Sequence, residues 1–373
     1  MKNIIVVGDY SRDDFTSVAK ILKGRFEFFF LEYFDESYVI NTAYTKWGKA
    51  IYWKDYKNAF ELIDNVQPSL VLYYFIESFN HLALNVACKF RGIKTFHLEH
   101  GIRYYEIQRY YNQSHDSQIE SPIWDKLKKL GELGKIKSRI KGRLFYHNTT
   151  KNLPGEYKEF LEDYFKIRKA KNIFETFEQV KSPLRIADQY ISFSPEIYKF
   201  HKQSDHLPDN YPVSFIGCPS FDYLADCMQK APEAKDIIFV DNAFESQDLF
   251  GWTKEIKKQF LLQLVALSQK LNKKLYIKAH PYSRAEVYAD IRDSDCGSLI
   301  YCDEDFKHAI LSSAIVIGFY STLLMPLMAL PYTTCFSLEM HPKAPGIKLS
   351  SFLVNTGAIE EVVGWDELEL KIR

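Results

Sequence analysis

Short apolar runs alternate with amphipathic stretches along the first hundred positions. Residues 4–7 form one such run, closed by Gly8, and helical spacing follows over 13–22. Further runs at 26–31, 69–75 and 94–98 are separated by helical patterns at 56–65 and 82–91, the last stopped by Gly92. Runs this short, apolar throughout rather than alternating, fit strands buried on both faces. Their alternation with helices predicts βαβ units and a mainly parallel sheet covered on both sides.

The rhythm breaks over 125–180, a long, charged stretch of helical pattern interrupted at Pro154-Gly155. Strand-like runs return at 189–194 and 213–216. A second alternating block begins at Asp236, with strands at 237–240, 275–278, 298–301, 314–317 and 333–337 and helices at 253–271, 285–291, 306–311 and 323–330. The segment 223–235, with Pro232 and mixed polar residues, is the expected linker. The pattern predicts two doubly wound α/β domains: 1–228, with a helical insertion near 125–180, and 235–373.

Composition narrows the class. Of 373 residues 46% are hydrophobic and 26% charged, a globular mix. The net charge of +0 supplies no global field for nucleic acid. Aromatics reach 16%, assigned mostly to packing. Cysteines 88, 218, 227, 296, 302 and 335 show no CxxC pair, which reads as reduced, buried thiols. The apolar run at 4–7 is too short for a signal peptide and is soon followed by Asp9, Arg12, Asp13 and Asp14. No stretch approaches the roughly 20 apolar residues of a membrane span.

Two strand ends in the second block carry the strongest chemical signal. The run 274–279 leads into Lys278-Ala279-His280-Pro281-Tyr282, and the run 314–319 leads into Tyr320-Ser321-Thr322. Open α/β sheets bind ligands beyond the carboxyl ends of their strands. Loops that feed helix N-termini there suit phosphate. The charge of a histidine is readily set near neutral pH. Facing a phosphate, His280 would stabilise departing charge or donate a proton. Pro281 restricts the His280 backbone to extended conformations. Ser321 and Thr322 can hold phosphate without a metal, a role compatible with capping a helix. A second His-Pro, at His341, lies in a Pro/Gly-rich loop and reads as an ordinary polar loop residue.

Other signals are weaker. Glu99-His100-Gly101 ends the 94–98 run. Either side chain there could act as base on a sugar hydroxyl, the alternative being a solvated turn. Gly8-Asp9 follows the first strand without the G-x-G-x-x-G fingerprint and either lines the acceptor side or is simply a turn. Asp303-Glu304-Asp305 resembles a metal-binding D-x-D, but acids are favoured at a helix start in any case. No metal is therefore expected, and Glu304 is a candidate partner for a ribose. Eight Lys and Arg residues between 126 and 143 accompany Leu127, Leu130, Leu133, Ile136 and Ile140 at helical spacing. Such a basic amphipathic helix suits an anionic lipid surface or a phosphorylated acceptor, or else packs on the first domain with a solvated face.

With these motifs the chain resembles the bacterial sialyltransferases and their wider GT-B relatives, which build capsules and lipopolysaccharide from CMP-activated acidic sugars. That group carries an acidic-acidic-Gly motif, a His-Pro motif and a Ser-Ser/Thr motif, matched in order by Glu99-His100-Gly101, His280-Pro281 and Ser321-Thr322. The resemblance implies a GT-B fold, with two Rossmann-like domains facing across a cleft. It implies inverting, metal-independent transfer of a sialic acid-like nonulosonate or Kdo to a glycan hydroxyl. The CMP-sugar would be a co-substrate, with no other cofactor. By the same resemblance Glu99 would be the base and His280 would stabilise the leaving CMP phosphate. Lys278, Pro281, Ser321 and Thr322 would line the phosphate site, Glu304 would reach the ribose, and Gly8, Asp9 and Gly101 would border the acceptor. His100 replaces the second acidic residue, so the base is Glu99 or His100. The implied partners are a nucleotide-sugar donor and a glycan or lipid-linked glycan acceptor. The implied location is the cytoplasm, peripheral to the inner membrane face through the helix 126–143. Similar signals occur in CDP-glycerol and CDP-ribitol phosphotransferases, and UDP-sugar 2-epimerases share the two-domain plan. These are the alternatives.

Overall fold

The computed structural model describes residues 1–8, 10, 16–32, 42–101, 133–246, 249–280, 283, 285–288, 297–300, 303–343 and 348–373. The chain divides into two compact units, Met1–Ser220 and Phe221–Arg373. A 3-10 segment, Pro219–Gln229, occupies much of the stretch expected as a linker.

The first unit is built on a seven-stranded sheet. Its strands are β1 (Lys2–Val7), β2 (Phe26–Glu32), β3 (Lys49–Tyr52), β4 (Pro68–Tyr73), β5 (Lys94–Leu98), β6 (Gln189–Ser192) and β7 (Val213–Phe215). They lie in the order β3-β2-β1-β4-β5-β6-β7, and every pair is parallel. Burial on both faces explains the unbroken apolar runs. Ile5 and Val7 of β1 join one core with Leu62 and Ile63 of helix Ala59–Val66 and Leu82 and Val86 of helix Phe79–Phe90. Ile4 and Val6 join another with Tyr10, Phe28, Phe30 and Tyr44. Successive residues of a strand point to opposite faces, so one strand feeds both cores.

The helical stretch after residue 133 is part of this unit's body rather than an appendage. Phe145 and Tyr146 of helix Leu133–Lys151, with Leu161 and Tyr164 of helix Gly155–Ala170, complete the Ile5/Val7 core. The Thr149 hydroxyl accepts the Ala59 N–H at 2.9 Å, satisfying an otherwise open donor at that helix start.

The second unit has a six-stranded sheet of β8 (Asp236–Val240), β9 (Leu275–Lys278), β10 (Gly297–Ile300), β11 (Ser313–Gly318), β12 (Thr334–Leu338) and β13 (Glu360–Val362). Its order is β10-β9-β8-β11-β12-β13, again parallel throughout. Helix Lys254–Lys270 buries Phe260, Leu261 and Leu264 against it, starting from Thr253, whose hydroxyl accepts the Ile256 N–H.

Strands β3 and β13 lie outside the predicted elements. Both are short sheet edges, and their compositions, Lys-Ala-Ile-Tyr and Glu-Glu-Val, lack the apolar run by which central strands are read. The predicted helix at 285–291 is a 3-10 turn, Ala285–Tyr288, over its described part. Cys88, Cys227 and Cys335 are buried, Cys218 is half-buried, and none of the four is in a disulfide.

Candidate active site

Strand register brings the second unit's motifs to one edge. Val240 of β8 is level with Lys278 of β9 and with Gly318 of β11. Two residues further on lie His280, Asn242 and Tyr320, with Ser321 next. Neighbouring strands are about 4.8 Å apart, so His280 and Ser321 leave the sheet roughly 10 Å apart, on either side of β8. Strand order reverses between β8 and β11, the topological position at which such sheets form a binding crevice. Gly318 makes the close approach there: a Cβ would lie 3.2 Å from the Val240 carbonyl oxygen and 3.1 Å from Leu324.

A buried polar hub ties these loops together. Asp241, immediately after β8, pairs with Lys257 of helix Lys254–Lys270, and both side chains are almost fully buried. Asp241 also accepts from the hydroxyls of Ser283 (3.2 Å) and Tyr288. Burial, reinforced by the Asp241 charge, pushes the Tyr288 hydroxyl far above its ordinary pKa, so it stays protonated and donates. Ser283 N–H in turn donates to the His280 carbonyl at 3.0 Å, and Asp241 N–H to the Lys278 carbonyl at 3.1 Å. Lys257 also donates to the Asn242 carbonyl at 2.9 Å. On the other side the Asn242 amide donates to the Tyr320 carbonyl at 2.8 Å. One residue pair at the end of β8 therefore fixes both the His280 turn and the Ser321 turn.

His280, Ser321 and Thr322 are all half-buried at this edge. Ser321 opens the turn into helix Leu324–Met328, its hydroxyl accepting the Leu323 N–H at 3.3 Å. The Lys278 ammonium lies 5.2 Å from the Phe306 ring centroid. Pro281 and Asp9 lie outside the described residues, and Glu304 is described only as part of the backbone of helix Asp303–Ser312. Of the basic run 126–143, residues 126–132 lie outside the described residues and 133–141 are described only as backbone of helix Leu133–Lys151. His341, expected as a polar loop residue, is instead a core histidine. It accepts from Trp252 Nε1 at 3.1 Å among the rings of Phe244, Phe250 and Phe319. Burial lowers its pKa to about 4.

In the first unit the matching edge carries Gly8 after β1, Tyr74 after β4 and Glu99-His100-Gly101 after β5. The Gly8 N–H donates to the hydroxyl of Tyr10, which turns back into the core. Ser17, Val18, Tyr74, Leu98, Glu99, His100, Phe193 and Pro219 line a small pocket at this edge. Glu99 and His100 occupy it differently. His100 is half-buried, edge-on to the rings of Tyr74 and Phe75. The Glu99 side chain is 0% exposed, with Oε2 2.7 Å from His201 Nε2 and Oε1 accepting the His100 N–H at 3.1 Å.

His201 comes from helix Pro195–Ser204, which the hydrophobic periodicity does not predict. Its start is marked locally: Ser194 caps the Ile197 N–H, Pro195 takes the first turn, and Glu196 favours the positive helix end. Behind His201 sits Asp205, which pairs with the buried Arg185 at 2.9 Å and accepts the Tyr190 hydroxyl at 2.8 Å. Burial alone would raise the Asp205 pKa. The charges of Arg185, His201 and His97 and the His201 hydrogen bond outweigh it and hold the carboxyl well below the usual range. The spacing of His201 and Asp205, i and i+4 on one helix face, is the sequence signal that could have found the pair.

Among the described residues no group of three or more His, Cys, Asp or Glu side chains is placed to hold a metal ion. No helix among them is long and apolar enough to cross a membrane.

The family comparison decides the identity. Residues 9–339 match the model of the alpha-2,8-polysialyltransferase (POLYST) family. The chain belongs to this family. It is a CMP-sugar glycosyltransferase of the sialyltransferase-like type, acting with a nucleotide-sugar donor and an acceptor. No curated protein matches this polysialyltransferase-family chain. Solved structures match its fold. The glycotransferase of kitacinnamycin is 10% identical, with 99% of this chain and 89% of that one covered at a TM-score of 0.52. The calicheamicin glycosyltransferase CalG4 is 9% identical, with 97% and 86% covered and a TM-score of 0.51. The UDP-GlcNAc 2-epimerase of Methanocaldococcus jannaschii is 11% identical, covering 100% and 91% at a TM-score of 0.49. The fold is the twin Rossmann-like arrangement of GT-B enzymes.

Proposed function

We propose that this polysialyltransferase-family chain transfers sialic acid, or a close nonulosonate, from CMP to an acceptor hydroxyl by inverting displacement without a metal. The family's α2,8 linkage makes the acceptor the 8-hydroxyl of a glycan's terminal acidic sugar. The observation that carries the proposal is the shared edge of His280 and Ser321-Thr322 on either side of the sheet's switch point. An imidazole and hydroxyls so placed suit a nucleotide phosphate. Ser321 and Thr322 hold that phosphate, with Lys278 and Pro281 beside it, and Glu304 accepts from the ribose. Gly8, Asp9 and Gly101 border the acceptor.

In the reaction the acceptor hydroxyl oxygen forms a bond to the anomeric carbon and gives its proton to a base. The bond from that carbon to the phosphate oxygen breaks, and its electron pair leaves on CMP. His280, as imidazolium, donates a proton or hydrogen bond to the phosphate oxygen that receives this charge. We assign the base to His100 rather than Glu99. Two observations support this: His100 is half-buried at the pocket, whereas the Glu99 carboxylate is sealed and held by His201. A base must reach the proton it removes.

Two variants test these roles. His280→Ala is expected to lower kcat by about 10²–10³, as loss of a charge-stabilising donor does. His100→Asn is expected to lower it by about 10²–10⁴, the usual contribution of a general base. Near wild-type kcat in the folded His280→Ala protein would overturn the leaving-group role, and in His100→Asn the base assignment. Unchanged transfer in EDTA is expected; loss that Mg²⁺ or Mn²⁺ restores would make the Asp303-Glu304-Asp305 carboxylates metal ligands. The basic run 126–143 is assigned to contact with an anionic membrane face carrying a lipid-linked acceptor. Sedimentation with phosphatidylglycerol vesicles, absent with phosphatidylcholine, checks it.

A further inference from the structure

We propose that His201 is a positioning residue of the transfer reaction, holding Glu99 and, through it, the His100 backbone in the geometry that base catalysis needs. The proposal rests on the reading of His100 as the base.

A continuous polar line runs behind the pocket. Arg185 holds Asp205 at 2.9 Å, Asp205 lies 3.6 Å from His201 Nδ1, and His201 Nε2 lies 2.7 Å from Glu99 Oε2. Glu99 Oε1 then accepts the His100 N–H at 3.1 Å. An ionised carboxylate only accepts, so the short contact requires His201 Nε2 to carry its proton and donate.

Charge accounting singles out His201. Among the described residues, the groups that face it include Glu99 and His97 from the β5 end, Tyr190 from β6, Asp205 from its own helix end and Arg185 behind Asp205. Arg185 and the Tyr190 hydroxyl satisfy Asp205. Arg185 is itself fixed by the Val180 and Ser204 carbonyls and lies over the Phe177 ring. His201 also faces the Glu99 carboxylate, and the two side chains are only 2% and 0% exposed. A carboxylate so buried stays ionised and oriented only if a donor is supplied.

Stability alone is a poor reason for this construction. Apolar side chains of equal volume often serve a core as well as a buried ion pair, or better. Here the buried line ends on the single backbone N–H that precedes a pocket-lining imidazole. Fixing that turn is what the line accomplishes, and transfer is sensitive to placement: a displacement of about 1 Å can cost 10²-fold in rate.

The test compares His201→Gln, whose amide can still reach Glu99, with His201→Asn, one carbon shorter. Rates are measured with the CMP-sugar donor and acceptor, together with the urea midpoint. His201→Asn is expected to lose on the order of 10²-fold in kcat with KM for the donor little changed. His201→Gln is expected to recover most of that loss. Equal kcat in the two folded variants overturns the proposal, whatever their stabilities. Should His201→Asn fail to fold, the cycle of Glu99→Gln, His201→Gln and the double variant decides. A double variant no slower than the slower single supports a unit, and losses that multiply overturn it. Wild-type activity in His100→Asn would instead remove the base assignment while leaving the Glu99–His201 coupling measurable.

Discussion

The strand-end sites of the two units are built on opposite plans. In the first, a motif side chain is itself buried: Glu99 is sealed against His201, and its neighbour His100 meets the pocket. In the second, His280, Ser321 and Thr322 stay half-buried, and the sealed charges, Asp241 and Lys257, lie beneath them and grip their loops. The proposed base must hold one orientation toward a small hydroxyl, and it is backed by a side-chain line. The proposed phosphate grip needs two loops at a fixed separation, and it is backed by bonds to backbone carbonyls at Lys278, His280 and Tyr320.

Perturbing each plan separately sharpens the difference. The largest losses are expected at the proposed base, His100, and the proposed leaving-group residue, His280, with kcat falling by about 10²–10⁴ and 10²–10³. Next comes Asp241→Asn, which leaves the buried Lys257 ammonium without its counter-charge. It should cost about 3–5 kcal/mol in urea unfolding and reduce nucleotide affinity, because both loops loosen. If Asp241→Asn were as stable as wild type, the hub would not join the loops. Gly318→Ala is milder: its Cβ would crowd Val240 and Leu324 at the switch point, costing about 1–3 kcal/mol.

At neutral pH the smallest effect is that of the buried histidines, which emerges only as pH falls. Burial lowers the pKa of His341 to about 4 and of His81 to about 3. The unfolded chain binds these protons near the ordinary value of about 6.5. The stability these neutral histidines confer is therefore complete above pH ~6.5 and declines as pH falls toward 4 and then 3. Each contributes a slope of up to about 1.4 kcal/mol per pH unit in that window. His341→Phe, set among Phe244, Phe250 and Phe319, should flatten the urea midpoint against pH between about 6.5 and 4. An unchanged slope would mean that His341 is protonated in the fold.

The same contrast explains which parts of the molecule are legible in its sequence. Central strands such as β1, β4 and β8 announce themselves because burial on both faces demands continuous apolar residues. His280 and Ser321 are legible because each closes such a strand. Their supports are not. Glu99 and His201 are 102 positions apart, Asp241 and Tyr288 are 47 apart, and no local pattern pairs either couple. The two His-Pro pairs show the same limit: His280 reaches a strand end, while His341 is swallowed by an aromatic core that only the fold assembles.

The most direct measurement is a thermal-shift panel on the wild-type chain with CMP, CDP, UDP and GDP at equal concentrations. A cytidine nucleotide at about a hundred times its Kd adds about 2.7 kcal/mol to folding. CMP or CDP is expected to raise Tm more than UDP or GDP, and that shift should shrink in His280→Ala. Preferential stabilisation by UDP or GDP would contradict a cytidine-nucleotide site at the β8–β11 edge.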